Sequence, residues 1–132
     1  MARHTWQIAA LSLGLALLLS HDLSAQVRRP LEVTDSAVAA GRVLFHGSAN
    51  CAACHGPEGV GTDSGPALDL GVWLYGNDSF EGIRSRVIHG IPKAYSLHDR
   101  AMPMRGWNPM TDEEVKVVAA YVWWISHPHR PS

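Results

Sequence analysis

Apolar positions recur at spacings of three and four along three stretches of the chain, and no Val/Ile/Thr-rich run alternates long enough to make a sheet. In the first stretch Val38, Gly41, Leu44 and Phe45 share one face, and Thr34 or Asp35 caps a helix that runs to about His46. In the second, Asp78 with Glu81 reads as a capping box ahead of Phe80, Ile83, Val87 and Ile88, and Gly90 followed by Pro92 stops the helix. The third is the clearest. Thr111-Asp112-Glu113-Glu114 is a capping box with acidic residues at the positive end of the helix dipole; Val115, Val118, Val122 and Ile125 follow, and Pro128 ends it. Gly41 inside a helix costs about 1 kcal/mol relative to Ala, which the close approach of another helix would offset. Tyr121, Trp123 and Trp124 cannot all point inward, and at least one is expected against the Gly41 face. The pattern predicts an all-α fold.

Outside these stretches the chain has two other textures. Met1 to Ala25 reads as an export signal: Arg3 and His4 start it, Ile8 to Leu19 is a low-polarity run, and Leu23-Ser24-Ala25 ends on a small residue. That run is well short of the roughly 20 residues a spanning helix needs, so cleavage near Ala25 is expected rather than a membrane anchor. Residues 26–33 then form a flexible lead-in, 34–128 one domain and 129–132 a tail. From Gly56 to Gly76 the chain is rich in Gly and Pro, and would pack poorly with nothing to wrap. At 132 residues only one domain is expected, and the net charge of −1 supplies no field for nucleic acid or an anionic membrane surface.

Export places the two cysteines in an oxidising setting, where they are usually paired or used for a cofactor. They are close neighbours: Cys51-Ala52-Ala53-Cys54-His55 is the C-x-x-C-H pattern of c-type haem attachment. Two thiols at this spacing reach the two vinyl groups of one haem as thioethers, and the next His supplies the proximal iron ligand. Three other readings compete. A thioredoxin-like dithiol wants a βαβ context, which this pattern lacks, and a structural zinc wants four ligands where no other Cys exists. A short-loop structural disulfide is the third.

In order, the chain shows Ala40-Gly41-Arg42-Val43-Leu44-Phe45, the Cys51 to His55 motif, a Gly-rich loop from Gly59 to Gly65-Pro66-Ala67-Leu68, Val87-Ile88-His89-Gly90, Met102-Pro103, and Thr111-x-x-Glu114 leading to Ala119-Ala120-Tyr121-Val122. This succession resembles the class I c-type cytochromes over about Ala37 to Ile125. The fold that the resemblance implies is a small all-α class I cytochrome c, its helices packed around one covalent haem. Trp73-Leu74-Tyr75-Gly76 and Tyr121-Val122-Trp123 make the chain most similar to a haem c domain of the dihaem subunit of cbb-type terminal oxidases, with a single haem motif here. The stretch from Ile91 to Ala101 is longer than the link usual in those domains.

The resemblance implies that Met102 supplies the sixth iron ligand opposite His55. Met104 ranks after it and Met110 well below, with His89 and His98 as the imidazoles of a rival bis-His site. It also implies that the Pro66 carbonyl accepts a hydrogen bond from the free ring nitrogen of His55, fixing its orientation and basicity. Trp107 and Arg105 follow the ligand as candidate donors to the haem propionates, with plain packing at the cofactor edge as the alternative for the aromatic. Lys93, Arg100 and Arg105 against Asp99 give the 91–105 segment a local charge of +2, a candidate for steering an acidic partner.

His/Met ligation leaves no open position for substrate, so the expected function is periplasmic electron transfer by one haem c cycling between ferric and ferrous iron, without catalysis of its own. The expected partners are redox proteins: a respiratory complex, a dehydrogenase or a terminal oxidase. The mature chain would work as a monomer or as a subunit of a complex, with neither nucleic acid nor a membrane span. A second class is an electron-entry subunit in a lasting complex with a periplasmic dehydrogenase. A third is a haem sensor or peroxidase with a labile sixth ligand.

Overall fold

Thr34 opens the first helix: its Oγ1 accepts from the Ala37 amide at 3.1 Å, and α1 runs Asp35–His46. In this computed structural model residues 28–127 are described; the proposed export segment, the start of the lead-in, Pro128 and the tail lie outside them. Three further helices follow, α2 at Ala52–His55, α3 at Phe80–His89 and α4 at Asp112–Ser126, with 3-10 turns at Pro57–Gly59 and Lys93–Tyr95. Among the described residues there is no strand, only isolated bridges between Thr62 and Gly65 and between Ile91 and Met102. The all-α expectation holds. The single turn of α2, on the Cys-His motif itself, is an addition to the three helices that periodicity predicts.

The fold is organised on α4. Its capping box is formed as expected, with Glu114 accepting from the Thr111 amide at 2.8 Å and Thr111 Oγ1 accepting from the Glu114 amide at 3.3 Å. Val115, Val118, Val122 and Ile125 are buried along it, and α1 and α3 both pack on it. Gly41 is where α1 crosses. A Cβ there would run into the Val117 carbonyl oxygen and lie 2.8 Å from Tyr121 Cβ, so only glycine permits this approach. Tyr121 fills the crossing, its ring edge-on to Phe45 with centroids 5.2 Å apart, both side chains fully buried. Trp123 is also buried, whereas Trp124 is turned outward.

The predicted capping box at α3 does not form. Asn77 Oδ1 accepts from the Ser79 amide at 3.1 Å and from its hydroxyl at 2.5 Å, an Asx turn that puts Ser79 at the cap position. Ser79 Oγ then accepts from the Gly82 amide at 3.0 Å; the third helical residue being glycine, no side chain can reach back. Glu81 pairs instead with Arg84 at 3.0 Å. Asp78 is turned to the end of α4, where its Oδ2 lies 3.3 Å from Nε2 of the buried His127, whose ring stacks on Trp123 at 4.2 Å. Gly90 ends α3 as expected, with φ +62°.

Candidate haem site

Cys51 caps α2 with helical backbone angles, so Cys51 and Cys54 stand three residues apart on one turn and present their thiols to the same side. They are not bonded to each other, and both line one cleft, which holds about 1120 Å³ of empty space, partly open to solvent, between α2, α3, α4 and the two long loops. The short-loop disulfide is therefore not formed. Among the described residues no group of three or more His, Cys, Asp or Glu could hold a bare metal ion, which leaves the zinc reading without ligands. Burial, first of all, pushes the Cys51 thiol up to about 11.

His55 ends α2 and lines the same cleft. Its Nδ1 donates to the Pro66 carbonyl at 2.8 Å, which fixes the ring and leaves the Nε2 lone pair free. Burial lowers its proton affinity, the Pro66 carbonyl works against that, and the nearby His98 lowers it further; the neutral imidazole that metals bind is the favoured form. The 56–76 segment is held to α2 by bonds to its carbonyls, Gly61 N–H to that of His55 at 2.7 Å and the Thr62 hydroxyl to that of Cys54 at 2.5 Å. Pro66 is delivered by that clamp.

Met102 approaches from the other long loop. Its amide and carbonyl exchange hydrogen bonds with Ile91 at 2.9 and 3.0 Å, which pins it beside the end of α3. Gly90 makes that possible: a side chain there would strike the Met102 carbonyl and crowd the Met104 amide at 2.9 Å. Among the methionines of the described residues, only Met102 lines the cleft. Met104 is 67% exposed and Met110 is buried at 4% in the helical core. The two rival imidazoles part company: His89 lies on the exposed side of α3 with Nδ1 on the Ser85 carbonyl, whereas His98 lines the cleft.

Trp107 stands at the rim, lining the cleft while 67% exposed, with its amide on the Ala49 carbonyl at 3.1 Å. Arg105 does not line the cleft. Its guanidinium is spent on the Met110 carbonyl at 2.9 Å and on Asp112 at 2.6 Å. The charge of the 91–105 segment is likewise partly consumed, Lys93 pairing with Asp99 at 3.4 Å.

Sequence reasoning passed over Trp73 and Arg86 as polar groups of the cleft and weighed His98 only as a rival iron ligand. Trp73 Nε1, Arg86 Nε and His98 Nδ1 are buried nitrogens with no hydrogen-bond partner among the described residues, and all three residues line it. No Asp or Glu among the described residues lines it. Apolar walls from Phe45, Leu68, Ile83, Val87, Val118 and Val122, with paired thiols at one end and unneutralised donors, fit a flat apolar macrocycle bearing carboxylates.

Residues 38–126 match the sequence profile of the family described as Cytochrome c. The chain belongs to the cytochrome c family. It carries haem c, bound covalently through Cys51 and Cys54, and as a cytochrome c domain it transfers electrons. It is 36% identical over 114 residues, 80% of its length, to a Cbb3-type cytochrome c oxidase subunit CcoP of Cereibacter sphaeroides. Over 66 residues, half of the chain, it is 38% identical to a subunit of the same description from an Azospirillum species. The chain spans about 35% and 21% of the lengths of these two relatives. Among solved structures it is similar to cytochrome CL of the marine methylotroph Methylophaga aminisulfidivorans, with a TM-score of 0.56 and 29% identity over 71% of this chain and 59% of that one. The likeness to an oxidase haem c domain that the tryptophan and tyrosine motifs imply is thus borne out.

Proposed function

We propose that this cytochrome c is an exported, periplasmic single-haem electron carrier whose iron is held between His55 and Met102, with no catalysis of its own. The observation that carries the reading is the convergence on one cleft of an imidazole locked by Pro66 and a thioether pinned by Ile91. When bound, the haem supplies one-electron exchange between ferric and ferrous iron. The chain's part is to hold, orient and cover it. Cys51 and Cys54 tether it, the Pro66 carbonyl sets the orientation and basicity of His55, and Trp107 covers its exposed edge. A thioether favours the reduced iron more than a second imidazole, which raises the potential.

Its partners are redox proteins, and the relatives' description as oxidase subunits supports residence in, or transfer to, a terminal oxidase complex. No helix among the described residues is long and apolar enough to cross a membrane. A lasting complex with a periplasmic dehydrogenase is the second reading, favoured by the outward Trp124 on α4.

The test is Met102→Ala. The ferric wild-type protein should show the weak near-infrared sulfur-to-iron charge-transfer band and its ferrous form should react sluggishly with carbon monoxide; the variant should lose the band, bind the gas quickly and be harder to reduce, with thioether attachment intact. Met104→Ala should behave as wild type. Fast carbon monoxide binding by the wild type, without the sulfur band, would replace the carrier reading with the sensor or peroxidase class.

A further inference from the structure

Glu58, three positions after His55, is a long charged residue held at φ +56°, in the left-handed region that favours glycine. Gly56 and Gly59 beside it take that region at +75° without steric cost, so position 58 is where this tight coil keeps a side chain against the preference of its backbone. Strain of this kind persists only where the surrounding contacts over-determine it. Here both carboxylate oxygens are engaged. Arg42 of α1 donates to Oε1 at 2.6 Å, and the hydroxyl of the fully buried Tyr121 of α4 donates to Oε2 at 2.8 Å. The first is an exposed ion pair and holds little by itself, whereas a buried hydroxyl deprived of its acceptor would be left unsatisfied. One carboxylate thus pins the coil after the haem motif to both helices, beside their crossing at Gly41.

The coil in turn touches the segment that carries Pro66. The Gly59 carbonyl accepts from the Leu68 amide at 2.7 Å. A Cβ on Gly61 would lie 2.7 Å from the Ala67 nitrogen, and one on Gly59 3.2 Å from Leu68 Cβ, so the two stretches meet backbone to backbone. Pro66 precedes Ala67, and its carbonyl is the acceptor for His55 Nδ1 at 2.8 Å. We propose that Glu58 is a positioning residue for His55: by tying the 56–61 coil to Tyr121 it holds the Pro66 carbonyl on Nδ1, and so sets how basic a ligand the imidazole is. An acceptor held firmly on one ring nitrogen makes the other the stronger electron donor, which favours ferric iron; a loosened Pro66 shifts the balance toward ferrous. This role rests on His55 being an iron ligand, as proposed above, and is independent of which residue faces it from the other side.

The experiment compares haem-loaded ferrous wild type with Tyr121→Phe, Glu58→Gly and Glu58→Gln at neutral pH. Nuclear magnetic resonance follows hydrogen exchange at His55 Nδ1–H and at the Val118 amide inside α4, and a redox titration gives the midpoint potential. Tyr121→Phe leaves every charge and the ring packed on Phe45 in place. It should speed exchange at Nδ1 by about tenfold beyond any rise at Val118, and move the ferrous-to-ferric ratio toward ferrous by about twofold to threefold, or about 20–30 mV at 59 mV per decade for one electron. Glu58→Gly relieves the backbone yet removes both bonds, and should speed Nδ1 exchange at least as much. Glu58→Gln keeps an oxygen for the Tyr121 hydroxyl and should fall between wild type and Glu58→Gly. Equal rises at Nδ1 and Val118 in Tyr121→Phe would overturn the proposal by reducing the bond to a stability contact. An unchanged potential in Tyr121→Phe, or a Glu58→Gly protein as protected at Nδ1 as wild type, would overturn it too. In all these failures the His55 ring protons keep the large upfield displacement that haem imposes on an axial ligand; its absence from the wild type would defeat the ligation reading itself, and the role of Glu58 with it.

Discussion

Gly41→Ala sets two effects of opposite sign against each other in a single methyl group. By helix propensity alone the change should stabilise α1 by about 0.8–1.0 kcal/mol. The new methyl, however, would lie inside contact distance of the Val117 carbonyl oxygen, 2.7 Å from the carbonyl carbon and 2.8 Å from Tyr121 Cβ. Carbon atoms pack at about 3.5–4.0 Å, so α1 and α4 must separate by roughly 1 Å. None of these atoms is the far end of a flexible side chain, and they cannot swing away. Overpacking of this kind costs about 1–3 kcal/mol, and here the upper end applies because the backbone must move. Separation also loosens the edge-on contact of Phe45 with Tyr121, worth about 0.5–1.5 kcal/mol beyond its buried area. After subtracting the propensity gain, the variant should lose about 2–3 kcal/mol. Denaturant titration of the haem-loaded protein, followed by far-ultraviolet circular dichroism, measures it through a lower midpoint at unchanged slope. A variant as stable as wild type, or more so, would refute the claim that α1 and α4 meet at glycine.

Two further outcomes test other parts of the structure. Glu58 is held below the usual carboxylate range, chiefly by the Tyr121 hydroxyl that donates to it at 2.8 Å and then by Arg42 at 2.6 Å. A depressed folded value contributes stability that is present above the ordinary 4.5 and is lost as pH falls through the folded value. The stability gap between wild type and Tyr121→Phe, measured by denaturant titration, should therefore be constant above about pH 5 and narrow on further acidification; a gap that widens would refute it. The second outcome concerns the haem-free chain: without the group that fills the cleft, the 56–76 loop loses the apolar surface it wraps, and circular dichroism of protein produced without haem attachment should show much less helix and no cooperative thermal transition.

Much of this fold is legible because its determinants are local. The caps at Thr34 and Thr111, the stop at Gly90 and the apolar stripe of α4 each depend on residues within a turn or two of one another. Gly41 was readable for a different reason: a helix tolerates glycine at a cost, and that cost asked for a neighbour. Where the sequence misleads, a distant group competes. Asp78 and Ser79 are adjacent and both able to cap, and what decides between them is Asn77 on one side and His127 forty-nine residues away on the other. No local pattern contains His127.

The cleft divides in the same way. Cys51, Cys54 and His55 share one turn, so spacing alone places them. Trp73, Arg86 and His98 come from three segments, and only the packing of the loops over α3 brings them to a common lining. The long excursion between Ile91 and Met102 left the path to the methionine open at the level of sequence. In the structure the paired bonds between those two residues make the excursion nearly irrelevant to where Met102 stands. Lengthening a loop closed in this way is cheap, since each doubling costs only about 0.6 kcal/mol of closure entropy. The added residues are then free to carry new groups to the cleft without disturbing Met102 at its lining. A chain can thus vary the surroundings of its haem while the clamp at Ile91 and the glycine at 90 keep Met102 in place.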